Sequence, residues 1–194
     1  MTGALASRLA TEADLPDLRA LMARSIAELQ RGFLDEAQIA ASRSVMGLDT
    51  QLVADRTYFV VEQDGVLAGC GGWSARATLY GGDHSAALRN AAPLDPTRDP
   101  ARVRAMYTHP DFARRGVGRL ILSLCEAAAA GAGFRRATLM ATLSGEPLYR
   151  ACGYREVERT AAAPVEGIIV PLILMEKALT SPPASPPGSR TPPP

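Results

Sequence analysis

The spacing of apolar residues predicts three amphipathic helices along this chain, because apolar positions recur every three or four residues in three separate stretches. The first covers residues 11–30 and starts at Thr11 or Asp14, both of which are good helix caps. The second covers residues 35–45 and the third residues 117–131. Each has one apolar face, so we expect each helix to pack against a sheet.

Shorter apolar and alternating runs predict seven strands. The clearest two form a hairpin around Asp64-Gly65, a dipeptide that is typical of two-residue turns. Gly69, Gly71 and Gly72 lie in the second strand of this hairpin and predict a bulge or a close backbone approach. The predicted strands cover residues 5–10, 57–63, 66–75, 102–108, 135–143, 154–159 and 168–176.

Two segments lack such periodicity. Residues 76–101 contain Gly81-Gly82 and three prolines, which predicts a long loop of the kind that usually has a function. Residues 180–194 are rich in proline and serine and carry too few apolar groups to fold. We therefore expect one domain over residues 1–179 and a disordered tail, for which a role as a proline-rich ligand is the alternative.

Composition narrows the class of protein. The 194 residues are 47% apolar and 21% charged, which is enough for one ordinary core. The net charge of +1 argues against broad nucleic-acid binding, and no apolar run approaches a signal peptide or a membrane span, so we expect a cytoplasmic protein. Cys70, Cys125 and Cys152 have no metal-ligand or disulfide spacing, and we expect no metal site.

The richest chemical signal is the turn between the fourth strand and the third helix. Gly116 and Gly118 lie there between Arg114, Arg115 and Arg119. A helix start exposes unpaired N–H groups and the positive end of the helix dipole, and arginines add charge-assisted hydrogen bonds. The turn therefore predicts a site for an anion, most often a phosphate or pyrophosphate, with a plain helix start and solvated arginines as the alternative.

Two familiar phosphate motifs do not fit this turn. A Walker loop requires Gly-Lys-Ser/Thr, whereas Arg119 follows Gly118, and a Rossmann fingerprint requires a third small residue where Ile121 stands. The turn resembles the pyrophosphate loop of the GNAT N-acetyltransferase superfamily, Q/R-x-x-G-x-G/A. Ala113 stands at the Q/R position of that motif, and Arg114 is a candidate replacement for the missing side chain.

A second segment is similar to the other GNAT signature, A-x-x-x-Y-x-x-x-G-F. It predicts a short helix with Ser144 as its N-cap and Gly153 just after its end. Gly145 stands at the Ala position of the signature, Tyr149 at the Tyr position, and Gly153-Tyr154 at Gly-Phe. In the family this tyrosine reaches the sulfur of CoA. The two motifs occur in the family's order, separated by a strand.

The resemblance covers roughly residues 5–179 and implies an α/β (α+β) fold, the GNAT acyl-CoA N-acyltransferase fold. Its central mixed, mostly antiparallel sheet is splayed into a V-shaped cleft and flanked by helices, and the pantetheine arm of acetyl-CoA pairs with strand backbone in that cleft. The cofactor-binding residues that the resemblance implies are Met106, Tyr107, Thr108, Arg114, Arg115, Gly116, Val117, Gly118 and Arg119.

The implied activity is transfer of an acetyl group from acetyl-CoA to a primary amine of a small-molecule or peptidyl acceptor, by direct attack in a ternary complex. Tyr149 is the expected catalytic acid that protonates the leaving thiolate, and backbone N–H groups near Tyr107 stabilise the oxyanion. The base is open: the candidates are Glu28, Glu62, Asp83 and His84, with water as an equal alternative.

The acceptor itself is also open. We expect residues 30–35 and 76–101 to select it, with Tyr80 and Trp73 as candidates for an aromatic pocket and the core as the other interpretation of Trp73. Two other functions compete with catalysis on an amine. Ala113 favours a non-catalytic acyl-CoA-binding module, and a third hypothesis is a toxin that acetylates charged tRNA, which the near-neutral charge disfavours. The oligomeric state is open too, a homodimer included.

Overall fold

The structure is a computed structural model that describes residues 3–180, and within them seven strands form one sheet in the order β1-β2-β3-β4-β5-β7-β6. Neighbouring strands run antiparallel except β4 and β5, which are parallel. The prediction of a mixed, mostly antiparallel sheet is therefore confirmed. The strands are β1 (Leu5–Leu9), β2 (Tyr58–Gln63), β3 (Val66–Ser74), β4 (Ala101–Thr108), β5 (Arg136–Ala141), β6 (Arg155–Ala161) and β7 (Pro171–Ala178).

Five α-helices accompany the sheet in the described residues, one more than the sequence analysis predicted. The unpredicted one is α3, whose five residues are too few to show a helical period. Asp49 caps it by accepting a hydrogen bond from the Gln51 N–H at 3.1 Å. The helices are α1 (Leu15–Leu29), α2 (Glu36–Val45), α3 (Thr50–Ala54), α4 (Val117–Gly131) and α5 (Glu146–Ala151).

Helices cover both faces of the sheet. On one face α4 buries Val117, Ile121 and Cys125 in a cluster with side chains from β3, β4 and β5. On the other face α1 buries Leu18 and Met22 against β2 and β3. A third, smaller apolar cluster joins α2 to β7 and to the segment between β6 and β7. The sheet is thus the middle layer of three, and its strand ends remain open to form a site.

A bulge lies between β3 and β4, next to the glycines that predicted one. Cys70 pairs with Tyr107 and Gly72 pairs with Arg104, so β4 contains one residue more than β3 over the same interval. Ala105 takes up this extra residue with a left-handed φ of 50°. This extra residue belongs to β4, and the glycine-containing strand β3 has a bulge of its own on the β2 side, where Val61 pairs with Gly69 and Glu62 pairs with Leu67. A Cβ added at Gly69, Gly71 or Gly72 would lie 2.5 to 2.6 Å from a neighbouring side chain, so the predicted bulge and the predicted close approach are both confirmed.

Two predicted details around β5 and α5 are wrong. The N-cap of α5 is Gly145, and Ser144 instead shares a hydrogen bond of 3.2 Å with the Thr142 hydroxyl. The strand before it ends at Ala141, earlier than expected, because the Gly145 N–H closes a turn onto the Thr142 carbonyl at 3.1 Å. That turn sets the direction in which α5 leaves the sheet.

The last strand also differs from its prediction. It begins at Pro171 instead of residue 168, because Val165 and Ile168 pair with each other in a tight turn, with N–H···O distances of 3.0 and 2.8 Å. The predicted tail over residues 180–194 lies outside the described residues from position 181 onward. Between residues 3 and 180, no helix combines the length and apolar character that crossing a membrane requires.

Candidate active site

A cleft opens where β4 and β5 part. The two strands pair only from Ala101 to Val103 on the β4 side, although β4 continues to Thr108 and β5 to Ala141. The bulge at Ala105 comes directly after the last pair, and a bulge bends the strand that contains it. The separation leaves backbone groups of both strands without a partner strand, as the predicted V-shaped cleft requires.

The cleft is lined by residues of β4, β5, β7 and α5, by the end of α2 and by the 76–101 loop. Met106, Tyr107 and Tyr149, which the sequence analysis placed in one site, all line it. Thr108 is not one of the lining residues and lies at the end of β4 nearest the glycine turn. The remaining lining residues are Val45, Met46, Gly47, Leu79, Tyr80, Gly81, Val103, Arg104, Ala105, Leu139, Met140, Thr142 and Leu172.

Tyr149 projects from α5 into the wall of this cleft and is 9% exposed. Its ring meets that of Tyr154 edge to face, with 6.0 Å between the ring centroids. Burial raises the pKa of Tyr149 well above that of a free tyrosine, so the hydroxyl is protonated at neutral pH. Whereas the Tyr58 hydroxyl donates to the Ala105 carbonyl at 2.6 Å, no hydrogen bond of the Tyr149 hydroxyl occurs among residues 3–180.

The N-terminus of α4 lacks a side-chain cap. The N-cap residue is Gly116, which has a left-handed φ of 85°, and no side chain accepts a hydrogen bond from the amides of the first turn. The first amide with a helical acceptor is that of Leu120, which donates to the Gly116 carbonyl at 2.9 Å. The amides of Val117, Gly118 and Arg119 are therefore available, and the first turn contains no acidic side chain to satisfy them.

The three arginines of this turn are exposed, and within the described part of the chain none of them forms an ion pair. Arg114 holds a left-handed φ of 64°, and the Arg115 guanidinium lies over the Phe112 ring at 5.3 Å from its centroid. Arg119 lies in the first turn of α4, where the helix dipole disfavours a cation unless an anion compensates. The turn thus presents three cations and three amides without an internal anion.

The second glycine of the turn has a different role from the first. No atom lies within 4 Å of a Cβ added at Gly116, whereas a Cβ added at Gly118 would lie 2.8 Å from Leu148 Cδ2 and 3.6 Å from Thr108 Oγ1. Gly116 is required for its backbone conformation and Gly118 for the close approach of α4, β4 and α5. Because Leu148 precedes Tyr149, the start of α4 packs against the residue next to the tyrosine.

None of the four candidate bases lines the cleft. Glu28 and Glu62 form ion pairs with arginines at 3.2 and 2.7 Å, and Asp83 pairs with a third arginine at 2.7 Å. The ring of His84 contacts the Ser44 carbonyl oxygen at 2.9 Å through Nε2. The structure brings no carboxylate or imidazole of this set to the side of the cleft that faces Tyr149.

A buried ion pair beneath the cleft was not predicted. Arg104 is 6% exposed, donates to the fully buried Asp49 and donates to the Gly81 carbonyl at 2.9 Å. Burial lowers the pKa of Arg104, and Asp49 also accepts from Arg89 at 3.0 Å. The pair ties the 76–101 loop to β4. The alternation of apolar and polar residues along β4 did not indicate this ion pair, because an arginine between apolar residues is typical of a solvent-exposed position.

The aromatic candidates divide between core and cleft. Trp73 is a core residue that meets Phe134 edge to face at 5.9 Å between ring centroids. Tyr80, from the 76–101 loop, lines the cleft. Gln30, at the start of the expected 30–35 segment, is buried and its Nε2 lies 3.1 Å from Sδ of Met46, which does line the cleft.

Comparison with known proteins gives the family. A family model described as an acetyltransferase (GNAT) domain matches residues 54–156, more than half of the chain. The chain belongs to the GNAT acetyltransferase family. Among proteins with curated descriptions, no sequence matches this one.

Solved structures share the fold at low sequence identity. A GCN5-related N-acetyltransferase from Rhodopseudomonas palustris is 19% identical with a TM-score of 0.66, and the match covers 92% of this chain and 98% of that one. A putative acetyltransferase from Salmonella typhimurium, solved with its cofactor acetyl-CoA, is 18% identical with a TM-score of 0.60, covering 96% and 99%. A phosphinothricin acetyltransferase from Sinorhizobium meliloti, in complex with acetyl-CoA, is 19% identical with a TM-score of 0.61, covering 96% and 94%.

Proposed function

We propose that this protein transfers an acetyl group from acetyl-CoA to a primary amine by direct attack in a ternary complex. The observation that carries the proposal is the N-terminus of α4, whose first amides have no acceptor and whose Gly118 lies close to Thr108 at the end of β4 and to Leu148, the neighbour of Tyr149. Two of the similar structures were solved with acetyl-CoA, which supports this choice of donor.

The pyrophosphate of acetyl-CoA would occupy the start of α4. Amides of Val117, Gly118 and Arg119 supply hydrogen-bond donors, and the exposed side chains of Arg114 and Arg115 supply charge. Backbone recognition tolerates the departure of Ala113 from the family motif, because the amide donors are independent of that side chain.

The pantetheine arm would lie along the open edge of β4. Met106, Tyr107 and Thr108 follow the last β4–β5 pair, so their backbone groups are free to bond the pantetheine amides as a neighbouring strand would. The bulge at Ala105 interrupts the pleat at this point. An N–H group near Tyr107 is then the candidate donor to the oxyanion of the tetrahedral intermediate.

The reaction needs one acid at the leaving sulfur. The neutral amine forms a bond to the thioester carbon, the nitrogen that becomes cationic gives one proton to water, and the C–S bond breaks. The thiolate takes a proton from the Tyr149 hydroxyl, which later regains one from solvent. The raised pKa of Tyr149 ensures that the proton is present at neutral pH. The raised pKa also makes complete transfer of the proton to sulfur less favourable than it would be from an exposed tyrosine. We therefore expect Tyr149 to donate its proton only as negative charge develops on the sulfur.

Water is the base that we favour for the amine. The four side-chain candidates lie outside the cleft lining and are engaged by other groups, so a proton path through one of them would first have to break an existing contact. An amine can instead lose its proton to water before it enters. The rate should then rise with pH up to the solution pKa of the acceptor.

The test is a screen of thiol release from acetyl-CoA over amines, polyamines, amino acids and peptides, with the acetylated product identified by mass. We expect stoichiometric thiol and N-acetyl product with at least one acceptor. Binding of acetyl-CoA without turnover on any acceptor would favour a non-catalytic acyl-CoA-binding module, for which Ala113 is the supporting feature. Failure to bind acetyl-CoA at all would contradict both functions.

A further inference from the structure

The acceptor side of the cleft carries no acidic group. Among the described residues that line the cleft, the single charged side chain is Arg104, and no aspartate or glutamate is present. Arg104 is itself 6% exposed, and its Nε is buried without a hydrogen-bond partner. An entering acceptor therefore meets the positive charge of Arg104, which the ion pair with Asp49 offsets. It meets no negative charge among these lining residues.

The same side of the cleft is apolar. The α2 end contributes Val45 and Met46, the long loop contributes Tyr80, and the sheet contributes Met140 and Leu172. These five residues also belong to the apolar cluster that joins α2 to β7. The lining formed by these five residues is thus an extension of packed core, and none of their side chains is a carboxylate that could pair with a buried cation.

The position of this patch relative to Tyr149 makes it the acceptor side. Tyr149 and Met106 belong to the cluster on the α4 face, from which the cofactor would enter by way of Gly118. The patch of Val45, Met46, Tyr80, Met140 and Leu172 lies against α2 and the 76–101 loop instead. The amine must reach a face of the thioester carbonyl, and an acceptor that enters from the side away from the α4 face passes this patch.

We propose, on the basis of the acetyltransferase function above, that the acceptor is a monoamine with an apolar or aromatic body, and that this patch excludes polyamines and other polycations. A monoamine enters the reaction neutral, because its one amino group has to be unprotonated to attack. A diamine of the same length still carries a second ammonium, which would lie in the apolar patch with no carboxylate to pair it. Desolvating that ion without a partner disfavours the diamine.

The direct test compares two acceptors that differ by one charge. We expect kcat/KM for n-pentylamine to exceed that for 1,5-diaminopentane by at least ~10-fold, the equivalent of a shift of one pKa unit for the second ammonium. 2-Phenylethylamine, which adds an aromatic body, should be a better acceptor than either. Equal or faster turnover of the diamine would overturn the inference.

A charge introduced into the patch supplies a second test. Tyr80 lies in a loop and is partly exposed, so Tyr80→Glu should fold, and Tyr80→Gln is the control of similar size without charge. The ratio of diamine to monoamine kcat/KM should rise at least ~5-fold in the Glu variant relative to the Gln variant, since a carboxylate near an ammonium favours its charged form. An unchanged ratio would show that the patch does not contact the acceptor body.

Donor binding and acceptor choice are measured separately. If neither amine reacts while acetyl-CoA still raises the melting temperature, the acceptor class is wrong and the donor assignment stands. If acetyl-CoA gives no such shift, the proposed function has failed and the inference about the acceptor fails with it.

Discussion

Replacing Tyr149 with phenylalanine separates chemistry from packing at this site. The ring and its edge-to-face contact with Tyr154 at 6.0 Å are retained, and only the hydroxyl is removed. A tyrosine hydroxyl in a hydrogen bond contributes about 0.5–1.5 kcal/mol of stability, but in the described residues the Tyr149 hydroxyl has no such bond to lose. We therefore expect the free energy of unfolding of Tyr149→Phe to stay within about 0.5 kcal/mol of the natural protein.

Catalysis should respond much more strongly. Proton transfer by a positioned side chain is worth ~10²–10⁴ in rate, and water can replace part of it, so we expect kcat to fall at least ~10-fold, or about 1.4 kcal/mol in the activation free energy. The Kd of acetyl-CoA should change little, because the hydroxyl acts as charge develops on sulfur. Because burial raises the pKa of Tyr149, its ionisation should not limit kcat below the ordinary tyrosine pKa of about 10.

The assay needs an acceptor from the amine screen, with kcat measured where chemistry limits the rate. Tyr154→Phe is the matched control, since Tyr154 lies beside Tyr149 but is not one of the residues that line the cleft. The control should keep its kcat. Unchanged kcat in Tyr149→Phe, or an equal fall in both variants, would remove Tyr149 as the acid and leave water as the donor.

Three further predictions concern stability. Arg104→Met leaves Asp49 with one arginine fewer in a buried site and should lower the free energy of unfolding by about 3 kcal/mol in denaturant titrations; a loss below 1 kcal/mol would contradict the role of this pair. Removal of residues 181–194 should leave the melting temperature and acetyl-CoA affinity unchanged, because their composition cannot support packing, and a clear fall would show that they dock. The hydrogen bond from Arg8 holds the pKa of Asp14 well below its usual value, so the ionised Asp14 stabilises the fold above the ordinary carboxyl pKa of about 4, and this stabilisation is lost as the pH falls further. The difference in unfolding free energy between the natural protein and Asp14→Asn should therefore shrink towards pH 2, and a difference independent of pH would refute this.

Local sequence predicted the two parts of the site that depend on local structure. Gly116 and Gly118 stand one residue apart at a helix start, and Tyr149 stands four residues before a helix-ending glycine, so each motif can be read within a dozen residues. The structure brings Met106, Tyr107 and Tyr149 to one cleft, although β4 and α5 are almost forty residues apart. Only the family resemblance joined them, because no pattern in the sequence specifies which strands separate.

The parts that the sequence missed depend on contacts between distant segments. The alternating pattern of β4 predicts that Arg104 is exposed to solvent. In the folded chain it is buried, because it pairs with Asp49, which lies 55 positions earlier in the sequence. The apolar patch of Val45, Met46, Tyr80, Met140 and Leu172 likewise combines α2, the 76–101 loop, β5 and β7, which come together only in the folded chain. The candidate bases were chosen by residue type alone, whereas the contacts that engage them, such as the 2.7 Å ion pair between Asp83 and Arg89, arise only in the folded chain.

Calorimetric titration of acetyl-CoA into the natural protein and into the Arg114→Ala/Arg115→Ala/Arg119→Ala triple variant tests the central claim most directly. These arginines are exposed and form no ion pair in the described part of the chain, and the Arg115 guanidinium contacts the Phe112 ring, so their removal should change the melting temperature of the free protein little. We predict one acetyl-CoA bound per chain, an affinity at least ~10-fold lower in the variant, and a weaker salt dependence, since each arginine contributes charge-assisted bonds to the pyrophosphate. Absence of binding to the natural protein at millimolar acetyl-CoA, or equal affinity in both proteins, would contradict a pyrophosphate site at the start of α4.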